Sequence, residues 1–157
     1  MADQEKKVAS TSTLLQRLFK SPDLKSFFMR NAKEMQVPPF NNYIKELSRK
    51  SGMIPEQVIK QSAIERTYGH QLFNGTRKPS RDKVIQLAIG FGLNLDDTQE
   101  LLKVAQKSAL YPRIKRDAAI IYCINNREDI YETQCILESL HLSLLGKEEK
   151  IDQRKCA

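Results

Sequence analysis

The stretch that decides the fold is residues 53 to 79, MIPEQVIKQSAIERTYGHQLFNGTRKP. Pro55 favours the first turn of a helix, because its missing N–H costs nothing at that position. Apolar residues at helical spacing resume after an interruption at residues 62 to 64, which predicts a second helix over residues 65 to 73. Gly75 ends this helix because glycine tolerates the left-handed conformation. The stretch therefore predicts two short helices that cross at a steep angle.

The second predicted helix has one apolar and one polar face. Ile64, Tyr68 and Leu72 share the apolar face, so the remaining polar side chains point away from the core. The outward side chains are Arg66, Thr67, His70 and Gln71. The loop that follows supplies hydrogen-bond donors for phosphate oxygens through Thr76, Arg77 and Lys78. This arrangement predicts a helix-turn-helix and makes double-stranded DNA the expected partner.

The run from Ile64 through Gly75, Arg77, Pro79 and Ser80 to Leu87 and Leu93 resembles the phage-repressor and Cro-like (XRE-type) helix-turn-helix family. In that family a glycine, a basic loop and a proline follow the recognition helix. The resemblance covers about residues 39 to 105 and implies an all-α, repressor-like five-helix domain. It places Glu65, Arg66, Thr67, Tyr68, His70 and Gln71 at base-contacting positions. It places Thr76, Arg77 and Lys78 at phosphate-contacting positions.

The chain also departs from the family pattern at four positions. Pro55 stands where the family has a phosphate-contacting Gln, and Ala63 stands at the turn glycine. Ile59 replaces a small residue of the first helix, and Gly69 replaces a buried aliphatic residue of the second. These departures support an alternative function, a protein-interaction adaptor that keeps the scaffold and no longer reads DNA. Its protein partner would bind an amino-terminal arm, through Phe27-Phe28, or a carboxy-terminal hairpin.

Charge favours a polyanionic partner. The 157 residues carry a formal net charge of +7. Residues 40 to 80 contain seven basic and three acidic residues, which gives that segment a net charge of +4. For any single Lys or Arg the alternative is an ordinary solvated surface, and only their grouping on the outward side of the motif favours a polyanionic partner, without identifying it.

The chain divides into four predicted parts: an arm and Pro-Pro linker (1–38), a helix-turn-helix domain (39–108), a helical hairpin (109–146) and a mobile tail (147–157). Within the arm, helical spacing predicts helices at residues 13 to 20 and 23 to 35, the second capped by Ser21. Pro38-Pro39 interrupts the pattern before the central domain.

A repeat relates the last two predicted hairpins. A shift of 35 residues aligns Arg81-Asp82 with Arg116-Asp117, together with several apolar and polar positions. The other aligned pairs are Ile85 with Ile120, Ile89 with Ile124, Thr98-Gln99 with Thr133-Gln134, and Leu102 with Leu137. We expect two helical hairpins of common design, with chance recurrence of common helical residues as the alternative. Asp82 and Asp117 would then stabilise the positive ends of helix dipoles.

An apolar stripe follows the final predicted helix. Ile130, Leu137, Leu140 and Leu144 recur on one side of it at helical spacing. The stripe packs against the chain's own core or forms a homodimer, and a homodimer would match the symmetry of a two-half-site operator.

Neither catalysis nor a cofactor is expected. His70 and His141 are the only two histidines, and no nucleophile or carboxylate is suitably spaced around them. Cys123, Cys135 and Cys156 have no CxxC spacing, so a metal site is not expected. No apolar run is long enough to span a membrane, and residues 1 to 13 have no hydrophobic signal region. We therefore expect a cytoplasmic protein.

Overall fold

A computed structural model describes residues 10 to 146, which are all-α, with no β-strand in that range. They form two compact units, residues 10 to 37 and residues 38 to 146. The tail expected to be mobile, residues 147 to 157, lies outside the described residues. None of the helices in the described range has the length and apolarity that a membrane crossing needs.

The first unit contains two helices, α1 (Thr11–Lys20) and α2 (Leu24–Asn31). The predicted cap of the second helix was wrong. Asp23, not Ser21, caps α2, because its carboxylate accepts the N–H of Ser26 at 2.7 Å. The α2 helix also ends at Asn31, before the predicted residue 35, where the buried Asn31 amide donates to the Phe27 carbonyl at 2.9 Å.

The second unit contains seven helices within the described residues. They are α3 (Phe40–Ser51), α4 (Pro55–Gln61), α5 (Arg66–Asn74), α6 (Arg81–Phe91), α7 (Leu95–Val104), α8 (Lys115–Asn125) and α9 (Ile130–Ser139). The predicted start of α4 at Pro55 is confirmed. The α5 helix begins and ends one residue later than the predicted range of 65 to 73. Left-handed glycines follow three of the helices, Gly52 after α3, Gly75 after α5 and Gly92 after α6.

A tight reversal joins α4 to α5. The Ser62 hydroxyl donates to the Val58 carbonyl at 2.6 Å and closes the last turn of α4. Ala63 then adopts a φ of 52°, in the left-handed region that disfavours residues with a Cβ. Ile64 follows this reversal and is buried in the core. The interruption read from the sequence is therefore a sharp change of chain direction at Ala63.

One hydrophobic core extends through the second unit. Ile44, Leu72 and Leu101 from the central helices belong to the same buried cluster as Ile120 and Leu137 from α8 and α9. The predicted hairpin at residues 109 to 146 is thus packed into the compact unit that contains residues 39 to 108.

The predicted 35-residue repeat is confirmed in the backbone. The α7 and α9 helices begin 35 residues apart, with Asn94 and Asp129 as their caps. Left-handed residues also recur at this spacing, Gly92 with Arg127 and Gln106 with His141.

Side-chain bonds show the same repeat. Gln99 donates to the Leu110 carbonyl and accepts the Leu110 N–H, both at 2.8 Å. Gln134 makes the same two bonds with Leu145, at 2.8 and 2.9 Å. Because the same side chains make the same bonds in both copies, the two hairpins share a design and not merely a helical period.

Candidate functional site

The α5 helix begins with a side chain that was predicted to contact bases. The two carboxylate oxygens of Glu65 accept the N–H groups of Thr67 and Tyr68, at 2.9 and 2.8 Å. These N–H donors hold the pKa of Glu65 below its usual value, because they stabilise the ionised form. Glu65 therefore caps the helix.

The polar face of α5 lies at the surface of the described chain. Arg66 and Thr67 are exposed, and His70 and Gln71 are half-buried. Leu72 and Phe73 on the opposite face are buried in the core. The division into an inner and an outer face follows the pattern expected from the sequence.

A carboxylate from the preceding helix binds two side chains of this face. Glu56 Oε1 accepts from Arg66 Nε at 2.9 Å and lies 2.9 Å from His70 Nε2. The hydrogen bonds from His70 and then Arg66 lower the pKa of Glu56. Arg66 is thus held by a carboxylate, although its side chain is 77% exposed. The sequence did not indicate this role of Glu56, because its partners are 10 and 14 residues away and meet it only through the crossing of α4 and α5.

The crossing itself depends on a matched pair of residues. A Cβ built on Gly69 would lie 2.6 Å from both γ carbons of Ile59, whose side chain is buried. Gly69 therefore lets α5 approach the large side chain on α4. The large residue at this crossing thus stands on the first helix and the small one on the second.

Two cations lie over the Tyr68 ring, Arg77 from the loop after α5 and Lys83 from α6. Gly75 adopts a φ of 84°, and the Thr76 N–H and hydroxyl both donate to Asn74 Oδ1, at 2.9 and 2.7 Å. The Arg77 guanidinium carbon lies 4.1 Å from the centre of the Tyr68 ring. Lys83 Nζ lies 5.1 Å from the same centre, and Lys78 is exposed in the loop.

Tyr68 therefore differs from the other predicted base-contacting residues. Its ring is half-buried and stacks against Arg77, which is a cation–π arrangement. The structure places the predicted phosphate-contacting Arg77 against this ring, which packs on its other side against the core. The spacing of nine residues between the two side chains did not indicate their contact.

The predicted dimerisation stripe is divided by the structure. Ile130 and Leu137 are 1% and 0% exposed and lie in the chain's own core. Leu144 is half-buried against that core, whereas Leu140 is 56% exposed. This placement matches the alternative in which the stripe packs against its own chain, and only Leu140 offers an exposed side chain to a partner.

Residues 10 to 146 contain no group of three or more His, Cys, Asp or Glu side chains that could hold a metal ion. No protein-family model, no curated protein and no solved structure matches the chain.

Proposed function

We propose that the α3 to α7 segment is a repressor-like helix-turn-helix domain that binds double-stranded DNA with α5 in the major groove. The observation that carries this proposal is the accessible polar face of α5, next to the exposed Arg77 and Lys78. An α-helix with its side chains is about 10 to 12 Å across, so the 9-residue α5 helix fits a groove about 12 Å wide.

In this proposal the residues of the α5 face have different tasks. Arg66 and Gln71 contact base edges, because guanidinium and amide groups match the donor and acceptor patterns of guanine and adenine. Arg66 exchanges the Glu56 carboxylate for a base when DNA binds. Thr67 and His70 complete the base-contacting surface, and Glu65 keeps the helix start in place.

The loop residues set the position of the helix on the duplex. Thr76, Arg77 and Lys78 bind phosphate oxygens, which fixes register without reading sequence. Stacking on Tyr68 limits the conformations of the Arg77 guanidinium before DNA arrives, so less side-chain entropy is lost on binding.

The test begins with selection of bound fragments from a random duplex library at several ionic strengths. Fluorescence anisotropy then compares the selected duplex with random duplex for Gln71→Ala and Arg77→Ala. Gln71→Ala should reduce discrimination at one base pair by roughly 1 to 3 kcal/mol. Arg77→Ala should weaken binding to all sequences alike and reduce the salt slope by about 1.

Lys107→Ala is the matched control, because it removes one positive charge from an exposed position outside the α5 face and its loop. It should leave both the affinity and the salt slope nearly unchanged. If the control weakens binding as much as Arg77→Ala does, or if the unmodified chain binds no duplex, the proposal is wrong.

A second candidate function is the protein-interaction adaptor. The specific observation in its favour is the apolar surface of the first unit, where Phe19 and Met29 are each 75% exposed. Phe28 is also exposed, whereas its neighbour Phe27 is buried and cannot contact a partner directly. This function predicts a stoichiometric protein complex that Phe19→Ser and Met29→Ser abolish, in a chain that binds no duplex.

A further inference from the structure

The two copies of the repeat, the α6–α7 hairpin and the α8–α9 hairpin, are joined by reciprocal ion pairs. The Arg81 guanidinium on α6 donates to both carboxylate oxygens of Asp117 on α8, at 3.0 and 2.9 Å. The Arg116 guanidinium on α8 donates to both oxygens of Asp82 on α6, each at 3.0 Å. Both pairs have the two-pronged geometry that makes arginine–carboxylate bonds strong and specific.

The surrounding bonds are reciprocal as well. Arg81 also donates to the carbonyls of Ser108 and Ala109, and Arg116 donates to those of Ser143 and Leu144, 35 residues later. The Tyr111 N–H donates to Asp117, and the Gly146 N–H donates to Asp82. Each of these bonds in one copy of the repeat thus has a counterpart in the other copy.

Such matching is the defining property of an interface between two identical subunits related by a two-fold axis. Here both halves belong to one chain. Asp117 is only 2% exposed, and the side chains of Arg116 and Asp82 are 19% and 26% exposed, so solvent has little access to the ion pairs. Burial raises the pKa of Asp82 and of Asp117, whereas the hydrogen bonds that they accept, led by those from Arg116 and Arg81, lower it. The hydrogen bonds outweigh burial, so both pKa values lie below the ordinary value and both carboxylates are ionised at neutral pH.

We propose that the α8–α9 hairpin takes the place of a second subunit. It occupies the patch on α6 where an identical hairpin from another copy would otherwise bind. The protein is therefore a monomer with one α5 helix per molecule, and the same patch accepts the hairpin of a second copy when pairing within the chain is blocked. This inference rests on the reciprocal bonds and does not depend on DNA binding.

Sedimentation equilibrium of the full chain tests the first part. A monomer has a mass of 18.1 kDa across the micromolar range. A concentration-independent mass of twice this value would overturn the proposal.

Complementary charge variants test the second part. Arg116→Asp places two carboxylates together within one chain, and Asp82→Arg places two guanidinium groups together. When the two variant chains are unfolded together and refolded as a mixture, the new carboxylate of one chain can pair with the new guanidinium of the other. The Arg81–Asp117 pairs can form between the chains as well. We expect a 1:1 complex with twice the monomer mass.

Two controls make the result specific. A chain carrying Arg116→Asp and Asp82→Arg together restores opposite charges within itself and should refold as a monomer. Asp97→Arg and Lys103→Asp, at exposed positions of α7, should give no complex when those two single variants are mixed. Should a single variant fail to fold alone, recovery of native circular dichroism on mixing would still report the exchange. If the mixture forms no complex while the double variant folds, the proposal is overturned.

Discussion

The contact between Gly69 and Ile59 predicts that the effect of Gly69→Ala on stability depends on the residue at position 59. The substitution should destabilise the fold beside Ile59 and stabilise it in the Ile59→Ala background, where the neighbouring side chain is smaller. In the natural chain, the methyl group of Gly69→Ala would meet three side-chain carbons of Ile59, at 2.6, 2.6 and 2.9 Å. Ile59 is branched at Cβ and 2% exposed, so it cannot rotate away. Gly69→Ala should therefore destabilise the fold, although alanine favours a helix.

The magnitude follows from two opposing contributions. Overpacking costs about 1 to 3 kcal/mol, and replacing a helical glycine by alanine gains about 1 kcal/mol. Since three atoms clash, we expect a net loss of about 1 to 2 kcal/mol. Ile59→Ala removes all three atoms, at a cost of about 2 to 5 kcal/mol for the lost packing. In that background Gly69→Ala should stabilise by about 1 kcal/mol, which implies a coupling free energy of about 2 to 3 kcal/mol.

Urea unfolding followed by circular dichroism, on the natural chain, both single variants and the double variant, measures this coupling. Gly90→Ala is the matched control, because its new methyl group would meet Ser62 and the Val58 carbonyl, which Ile59→Ala leaves in place. It should destabilise in both backgrounds. An effect of Gly69→Ala with the same sign in both backgrounds would refute the reasoning.

Three further perturbations have defined outcomes. Ala63→Gly removes the strain of a left-handed φ of 52° and adds entropy to the unfolded chain. The first effect is the larger, so the substitution should stabilise the fold by about 0.5 to 1 kcal/mol and raise Tm. A lower Tm would contradict this account. Glu56→Gln releases Arg66 and His70 and removes a negative charge near the proposed DNA surface, so duplex affinity in low salt should rise about two- to fivefold; anisotropy showing weaker binding would count against the assignment. Asp117 has a pKa below the ordinary 3.8, so its stabilisation is present above that value and is lost as the pH falls through the lower folded pKa. Asp117→Asn should lower the urea midpoint at neutral pH and flatten its decline in acid, and an unchanged acid profile would exclude this carboxylate as a source of that decline.

Local chemistry made much of the helical order predictable. Pro55 and Gly75 mark a helix start and a helix end through backbone preferences that act within a few residues. The arm was less accurate, because Ser21 and Asp23 are both competent caps and only the observed bond to the Ser26 N–H distinguishes them.

The site was less predictable because its contacts depend on how helices cross. Glu56 reaches Arg66 and His70 only when α4 and α5 meet at their observed angle. Ile59 and Gly69 looked like two independent departures, since the sequence does not show that their side chains share one space.

The repeat was also predictable from local sequence features, whereas its tertiary contacts were not. Its 35-residue period was visible from paired dipeptides, whereas the ion pairs join residues 36 and 34 apart. The period therefore identifies the two copies but does not indicate how they bind each other. The recurrence of an arginine next to an aspartate at both helix starts was the available sign that each copy carried complementary halves.

Reciprocal pairing also limits how this architecture can grow. In a solenoid each unit offers one surface to its predecessor and a different one to its successor, so that units can be added without limit. Here the two hairpins bind each other through the same surface, the arginine and the aspartate at the start of α6 and of α8. A third 35-residue unit spliced after Gly146 would therefore meet this surface already occupied on both copies and should not dock there.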